Sequence, residues 1–417
     1  MAKFILRRLL FMLLTMLIVS IAVFLICEVA PGDVAQHLLG QFATPEQVAS
    51  FREQLGLNQS LQVRYLSWLI GSDWRARTKV GMPLRRIKMP RTDSCEWWAE
   101  EPDGTLIRWK LDGEDLIAMR LQPDGTTVES VDNGRWQTDE DGVSSFWGVD
   151  TLNHAVQWVM GGEAAFWMKS KGAGWWVEQK GGAIKYIPLQ RGLLRGDPGE
   201  STQTRQPVAD TIVRRVQNSA ILAGVAFVIV MPLAIVLGLI AGLNEGKRID
   251  RLLSIGGLVT TATPNFATGI FLILIFAYWL QVLPGATVFA SEKAIFENPK
   301  MLILPVATLT LIELGYVLRI TRASMVEVMG SGYIRTAVLK GLPYSRIVFR
   351  HALRNALMAP ITVIMLHVNW LMGGIVVVEA IFGFPGLGMY LLNAAMYKDV
   401  FAIEAGAMVM VMLAVGT

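Results

Sequence analysis

The sequence predicts an α-helical polytopic membrane protein of six transmembrane helices, with an all-β extracytoplasmic domain inserted between the first and the second. Three observations carry that reading. Of the 417 residues, 17% are charged and 53% hydrophobic, whereas a soluble domain runs to about 25% charged. The apolar residues collect in six separated runs near 9–27, 219–243, 253–280, 301–318, 356–378 and 399–416, most of them long enough for a helix to cross a bilayer. Ten of the 13 tryptophans fall between 74 and 176, in a stretch whose texture is unlike the rest.

The first run, Leu9 to Cys27, is uncharged and follows Lys3, Arg7 and Arg8. As a helix it is about 28 Å long. A cleavable signal would have a shorter apolar core and an A-x-A site, which does not follow. A lipoprotein signal ending at Cys27 is disfavoured by the bulky Ile26 before it. Cys27 lies in an apolar run and Cys95 in a polar one, so they are not expected to pair.

Charge orients the helices. With a cytoplasmic N-terminus, the inside segments hold Lys3, Arg7, Arg8, Lys247, Arg248, Arg251 and then seven basic residues from Arg319 to Arg354. The two short outside loops hold only Lys293, Lys300 and Lys398. This asymmetry predicts both termini inside and residues 31–218 outside. The outside segment carries 22 basic and 24 acidic residues, so the net charge of +4 marks orientation and gives no reason to expect nucleic acid. The expected organisation is an N-terminal segment and first helix over 1–30, a connector over 31–71, the β domain over 72–191, a second connector over 192–218, and helices two to six over 219–417.

Between 72 and 191 turn signals recur about every ten residues, among them Pro102-Asp103-Gly104, Asp112-Gly113, Pro123-Asp124-Gly125, Asp132-Asn133-Gly134, Asp141-Gly142, Gly161-Gly162 and Gly181-Gly182. Short alternating runs lie between them: Ile107, Trp109 and Leu111 share one face, Arg108 and Lys110 the other. An antiparallel meander closing into a sandwich or small barrel is expected. The tryptophans are read first as filling a β core, with a docking surface for a partner protein or a small-ligand site as the other readings. His154 has no partners at ligand spacing, so no metal site is expected.

Polar residues at membrane depth are few, among them Asn265 after Pro264, Glu313, His367 and Asn369. They are candidate pathway-lining groups, with helix–helix hydrogen bonding the competing reading. Phe382 to Met389 resembles a re-entrant stretch, and Phe382 and Pro385 join the candidates. Pro264 and Gly373-Gly374 are expected to loosen their helices. Gly341 followed by Pro343 should break a helix sharply, leaving two short helices over about 330–340 and 343–352. No nucleotide motif is present: Gly246-Lys247 is followed by Arg248 and lacks the earlier glycine. No G-x-S-x-G occurs and none of the four histidines forms H-E-x-x-H, so no catalytic residue is expected.

Residues 330–360 hold Tyr333, Arg335-Thr336-Ala337, Lys340-Gly341-Leu342, His351-Ala352-Leu353-Arg354-Asn355-Ala356 and Pro360. This order resembles the EAA loop of ABC importer permeases of the dipeptide, oligopeptide and nickel branch. Pro31-Gly32-Asp33, Arg52-Glu53-Gln54-Leu55-Gly56-Leu57, Gly192-Leu193-Leu194-Arg195-Gly196-Asp197 and Glu379 to Gly388 resemble further landmarks of that family. The resemblance covers about 1–71 and 192–417, and says nothing of 72–191. Arg335 and Thr336 stand where the generic motif has Glu and Ala. The family adds a short tail after the last span, so a truncated or missing tail is expected beyond Thr417.

The resemblance implies a permease subunit of an ATP-driven importer in the bacterial inner membrane, most simply for peptides, forming half of a translocation pathway. The cytoplasmic loop 319–355 would couple it to an ATPase through Tyr333, Arg335, Thr336, Ala337, Lys340, Gly341, His351 and Asn355. Implied partners are a second permease, one or two ABC ATPases that hold ATP and Mg, an extracytoplasmic substrate-binding protein and membrane lipid, with no nucleic acid and no cofactor in this chain. A passive channel, and a membrane-anchored sensor or assembly protein working through the β domain, are the alternatives. An intramembrane hydrolase using Glu313 and His367 lacks any motif partner.

Overall fold

In the computed structural model of the chain, every residue is described except 1, 30–33, 41–42, 55, 90–93, 152, 162–163, 169–186, 288–297 and 417. The Pro31-Gly32-Asp33 landmark, the Gly181-Gly182 turn, Trp175, Trp176 and Lys293 therefore lie outside the described residues, as does Leu55. The chain divides into two compact units. One comprises Met1–Met12, Val213–Asn393 and Val409–Thr417, the other Leu13–Ile212 and Ala394–Met408.

Among the described residues, three helices are long and apolar enough to cross a membrane: Leu6–Glu28, Val208–Leu243 and Lys300–Met329. Three further pairs of helices, each bent at a short break, raise the number to as many as six. The run expected over 253–280 is one such pair, bent by 108° between Arg248–Ala262 and Asn265–Trp279. The cause is local. Thr263, forced out of the helical region by the following proline, takes ψ 129, and Pro264 then starts the next helix. A kink was expected there; a break is found.

We label the helices α1 (Ala2–Val29), α2 (Val34–Leu39), α3 (Pro45–Gln54), α4 (Leu61–Leu69), α5 (Asp73–Val80), α6 (Val208–Leu243), α7 (Arg248–Ala262) and α8 (Asn265–Leu272), the last running on as a π-helical segment to Trp279. After these come α9 (Lys300–Met329), α10 (Gly332–Leu339), α11 (Tyr344–Arg346), α12 (Leu353–Ala356), α13 (Met358–Phe382), α14 (Leu387–Met396) and α15 (Val400–Gly416).

In the first unit α9 is the axis, with the largest buried share of the three long helices. Small residues let its neighbours close in. A Cβ placed on Gly315 would overlap the Gly257 carbonyl of α7, and one on Gly238 of α6 would lie 2.6 Å from the Thr321 Cβ. Lipid supplies no hydrophobic drive between helices, so such close backbone packing is what holds them together. Leu304, Leu309, Ile312, Val378, Phe382 and Phe384 form the core beside it.

In the second unit the β insertion is two antiparallel sheets. Five strands run in sequence order: Leu84–Lys88, Cys95–Glu100, Leu106–Asp112, Asp115–Leu121 and Thr127–Val131. The other sheet holds Gln137–Thr138, Ser144–Val149, His154–Gly161 and Ile187–Pro188, with Ala164–Met168 on His154–Gly161. The expected meander is present, although the segment opens on α5 and not on a strand. At Gly113-Glu114 a two-residue loop joins paired Asp112 and Asp115. Gly113 takes φ +64 while Glu114 stays out of that region, the pattern of a II′ hairpin.

The core between the sheets is aromatic. Trp109 meets Phe146 edge-on at 5.1 Å, and Phe146 stacks on Trp158 at 6.2 Å. A Cβ on Gly148 would intrude on all three rings, so that glycine makes the space they fill. Trp97, Trp98, Trp109 and Trp158 are each at most 5% exposed, which is the core-filling reading of these tryptophans. Each such ring contributes about 1.5–3 kcal/mol by burial.

Arg108, on the face opposite Trp109, is buried too. It donates to Glu96 (2.9 Å), to the Asp150 carbonyl (2.6 Å) and to Asn153 Oδ1 (3.1 Å), and lies over the Trp98 ring. Burial pulls its pKa below the usual arginine value, and the Glu96 and Asp150 charges oppose that pull. The residue thereby ties the third strand to the Asp150–Asn153 turn of the other sheet.

Candidate functional site: the coupling elbow and the Glu379 hairpin

The elbow begins at Ser331, after the last turn of α9. Helix α10 ends at Leu339, Lys340 caps it, and Gly341 takes φ +70. Nothing lies within 4 Å of where its Cβ would be, so the glycine is there for its backbone, not for space. Pro343 then starts α11, and a π-helical turn over Ile347–Ala352 leads into α12. The break falls where Gly341 and Pro343 placed it.

One face of the elbow packs on the bundle: Ile334, Ala337, Ile347, Val348, Ala352 and Ala356 surround Met325 of α9. The other face is bare. Leu339 is 82% exposed and Phe349 70%, with Val338 and Tyr344 also exposed. Exposed apolar side chains grouped on a helical elbow suit a groove on a partner protein. Among the expected coupling residues, Arg335, Thr336 and Lys340 are exposed, Ala337 is buried and His351 is half-buried. Tyr333 and Asn355 meet directly, Asn355 Nδ2 donating to the Tyr333 hydroxyl at 2.8 Å. The two ends of the motif thus close the elbow on itself, and Ser324 of α9 donates to the Ala356 carbonyl at 2.8 Å.

A second arrangement was not legible in the sequence. Glu379, fully buried near the end of α13, accepts from the Ser219 hydroxyl of α6 at 2.5 Å and from the Met389 amide at 3.0 Å. Ser219 in turn accepts the Leu387 amide at 2.8 Å, and Asn218 donates to the Pro385 carbonyl at 2.9 Å. The carboxylate therefore caps the N-terminus of α14, where unpaired amides and the helix dipole favour an anion. Cβ atoms on Gly386 or Gly388 would overlap the Glu379 side chain. Gly383, at φ +64, lets α13 end and the chain fold back. Glu379 stood in the sequence only as part of a landmark; the signal was a carboxylate seven and nine residues before two glycines.

A third arrangement sits at the foot of α9. Asp250, in the first turn of α7, accepts both Arg322 Nε at 2.5 Å and Nη2 at 2.8 Å, together with the Gly246 amide and the Ser254 hydroxyl. The fork fixes α7 against α9 a few residues before the elbow.

The described candidate pathway residues differ in exposure. Asn265 opens α8 and is half-buried, and Pro385 is half-buried in the hairpin. Glu313 and Phe382 are buried within the bundle and present no surface in the single chain. The side chains of His367 and Asn369 lie outside the described residues.

In the second unit a cavity of about 160 Å³ is lined by residues including Arg86, Trp97, His154, Gln190, Asp197 and Glu200. Arg86 pairs with Asp197 and, at 3.0 Å, with Glu200, joining the first strand of the insertion to the Gly192–Asp197 landmark. His154 is buried with its Nδ1 3.8 Å from Asp150. No group of three metal-ligating side chains occurs among the described residues.

Long apolar helices packed through glycines, with an exposed elbow between them, are the architecture of a polytopic membrane protein. Residues 234–417 match the family described as binding-protein-dependent transport system inner membrane component, and residues 1–81 match the N-terminal domain of such membrane components. The chain is 32% identical over 235 residues to the oligopeptide transport system permease protein AppB of Bacillus subtilis, covering 56% of this chain and 74% of that one. It is 37% identical over 216 residues to the oligopeptide permease OppB of Haemophilus influenzae (52% and 69% covered), and 34% identical over 236 to its dipeptide permease DppB (52% and 71% covered). The chain belongs to the family of inner-membrane permease components of binding-protein-dependent ABC importers. Such a component is a transport subunit and not an enzyme. The stretch between the two family matches, 82–233, contains the strands of the insertion.

Proposed function

We propose that this chain is the permease subunit of an ATP-driven importer of peptides, and that it forms half of the pathway beside a second permease. The observation that carries this reading is the exposed apolar elbow of α10 to α12, closed by the Tyr333–Asn355 hydrogen bond. One or two ATPase subunits, holding ATP and Mg, receive the elbow in their grooves, and an extracytoplasmic binding protein delivers the substrate. Peptides are the substrate class because permeases to which it is similar are named for oligopeptides and dipeptides.

In this reading the chain crosses the membrane six times, with both termini cytoplasmic and residues 31–218 outside, as the basic residues of the inside segments favour. When ATP draws the two ATPase subunits together, the elbow is pulled inward. Its buried face on Met325 transmits the pull to α9, and the Asp250–Arg322 fork carries it to α7. The Glu379 hairpin keeps α13, α14 and α6 moving as one piece. Asn265, Glu313, His367, Asn369, Phe382 and Pro385 are the positions at which the pathway opens.

The test is to copurify the tagged chain from its host and to measure peptide uptake in proteoliposomes. ATPase subunits that copurify, with uptake that needs ATP and binding protein, support the reading. Uptake without nucleotide points to a channel. An activity that survives loss of the elbow but not of 72–191 points to a sensor.

A further inference from the structure

Helix α4 lies against the end of the first span. Tyr65 donates to or accepts from Ser20 at 3.0 Å and meets the Phe24 ring edge-on at 5.3 Å, while Arg64 pairs with Glu28. Trp68, on the same face, is buried beside Tyr65. These contacts give α4 a depth. Glu28 ends the apolar stretch Leu6–Glu28, and Ser20 is two turns below it, about 12 Å along a helix axis. A side chain that reaches Ser20 and Phe24 comes from a helix seated at the edge of the hydrocarbon layer, not above it.

On the opposite face of α4 the apolar side chains are exposed among the described residues, while the Ile70 carbonyl accepts from Arg195. Leu66 is 45% exposed and Ile70 48%, one turn apart. Beyond the Gly71 bend, Trp74 is 54% exposed with the Arg75 guanidinium over its ring at 5.2 Å, and Arg77 is exposed. On the neighbouring span Ile18, Leu25 and Ile26 are equally bare, so the apolar surface of α1 continues onto α4.

We propose that Leu61 to Val80 is an in-plane membrane anchor in the leaflet that holds Glu28. Leu66 and Ile70 face acyl chains, and Trp74 and Arg77 lie among the phosphates. The occupant is phospholipid, argued from depth along α1, continuity with its lipid-facing surface, and the sequence of apolar, aromatic and basic groups that bilayer interfaces select. The anchor holds the root of the β insertion at the membrane surface, whatever the substrate of the transporter. It rests only on α1 crossing the bilayer.

The test uses the full chain with its partner subunits in nanodiscs containing phosphatidylglycerol. The chain has two cysteines, so Cys27→Ser (or Cys27→Ala, if that assembles better) with Cys95→Ser leaves a background for single nitroxide labels. Labels at Leu66→Cys and Ile70→Cys are compared with Ile18→Cys on the span and Glu114→Cys at the exposed hairpin tip. The expected result is collision with oxygen as at 18, and collision with an aqueous nickel chelate several-fold below that at 114. Chelate access equal to that at 114 overturns the anchor in favour of water. Shielding from both reagents overturns it in favour of a protein partner on that face.

Discussion

The Glu379 carboxylate and the Ser219 hydroxyl, 160 positions apart in the chain, share a 2.5 Å hydrogen bond that closes the hairpin between α13 and α14. The same hydroxyl accepts the Leu387 amide, so one serine and one glutamate hold three elements. Glu379→Gln replaces one of the two accepting oxygens with an NH2 donor that faces the Ser219 hydroxyl or the Met389 amide, leaving buried donors unmatched at a cost of about 1–3 kcal/mol. Assembly should persist while substrate-stimulated ATP hydrolysis falls, and Glu379→Asp should recover part of it. Gly386→Ala is expected to destabilise by a similar amount through overlap with the carboxylate. Thermal unfolding of the purified complex measures both.

Asp250 and Arg322 form the other fixed joint. Arg322 is 30% exposed at its side chain and Asp250 5%, so water softens the loss of one partner. Asp250→Ala is expected to cost about 1–2 kcal/mol, between the values for surface and buried pairs. The charge-exchanged double variant, Asp250→Arg with Arg322→Asp, should regain part of the coupled activity that either single change loses. A double variant no better than the worse single one would show that the fork has no part in coupling.

The elbow depends on the backbone at Gly341. Asn tolerates φ +70 and a β-branched residue does not. Gly341→Asn should therefore keep ATP-driven uptake, and Gly341→Val should lower it with the membrane bundle still folded. Side-chain volume is not at issue, since the space around the position is open. Equal uptake by the two variants would remove the turn from the mechanism.

Much of this was legible because it is local. Gly341 and Pro343 dictate a break by their own backbone limits, and Asp112-Gly113 dictates a hairpin. The charge of the inside segments and the apolar runs likewise act at the scale of one helix. The Glu379–Ser219 and Asp250–Arg322 pairs were hidden because each joins residues far apart in sequence, and neither residue type is unusual where it stands. Arg108 shows a different limit: alternation placed it correctly opposite Trp109, but could not show that Trp98 and the Asp150–Asn153 turn cover that face as well. Thr263–Pro264 was read as a kink because proline alone sets where a helix is disturbed, while packing sets by how much.

The Arg86–Asp197–Glu200 cluster predicts a pH effect. Burial raises the Glu200 pKa above the usual 4.5, and the Arg86 charge only partly offsets it. The folded second unit therefore holds that proton more tightly than the unfolded chain. The associated stability is present below the usual glutamate value and is lost as pH rises through the raised folded value. Unfolding followed by tryptophan emission, which reports mainly on the insertion, should show decreasing stability as pH climbs from 4.5. Glu200→Gln should flatten that slope.

The central claim is that the exposed elbow of α10 to α12 couples this permease to an ATPase. Its most direct measurement is ATP-driven peptide uptake by the complete complex in proteoliposomes, comparing the native chain with one carrying Leu339→Asp and Phe349→Asp on the bare face of the elbow. The account predicts a double variant that folds and inserts, fails to retain the ATPase on purification, and takes up no peptide above the level without ATP. Uptake and copurification equal to those of the native chain would contradict it.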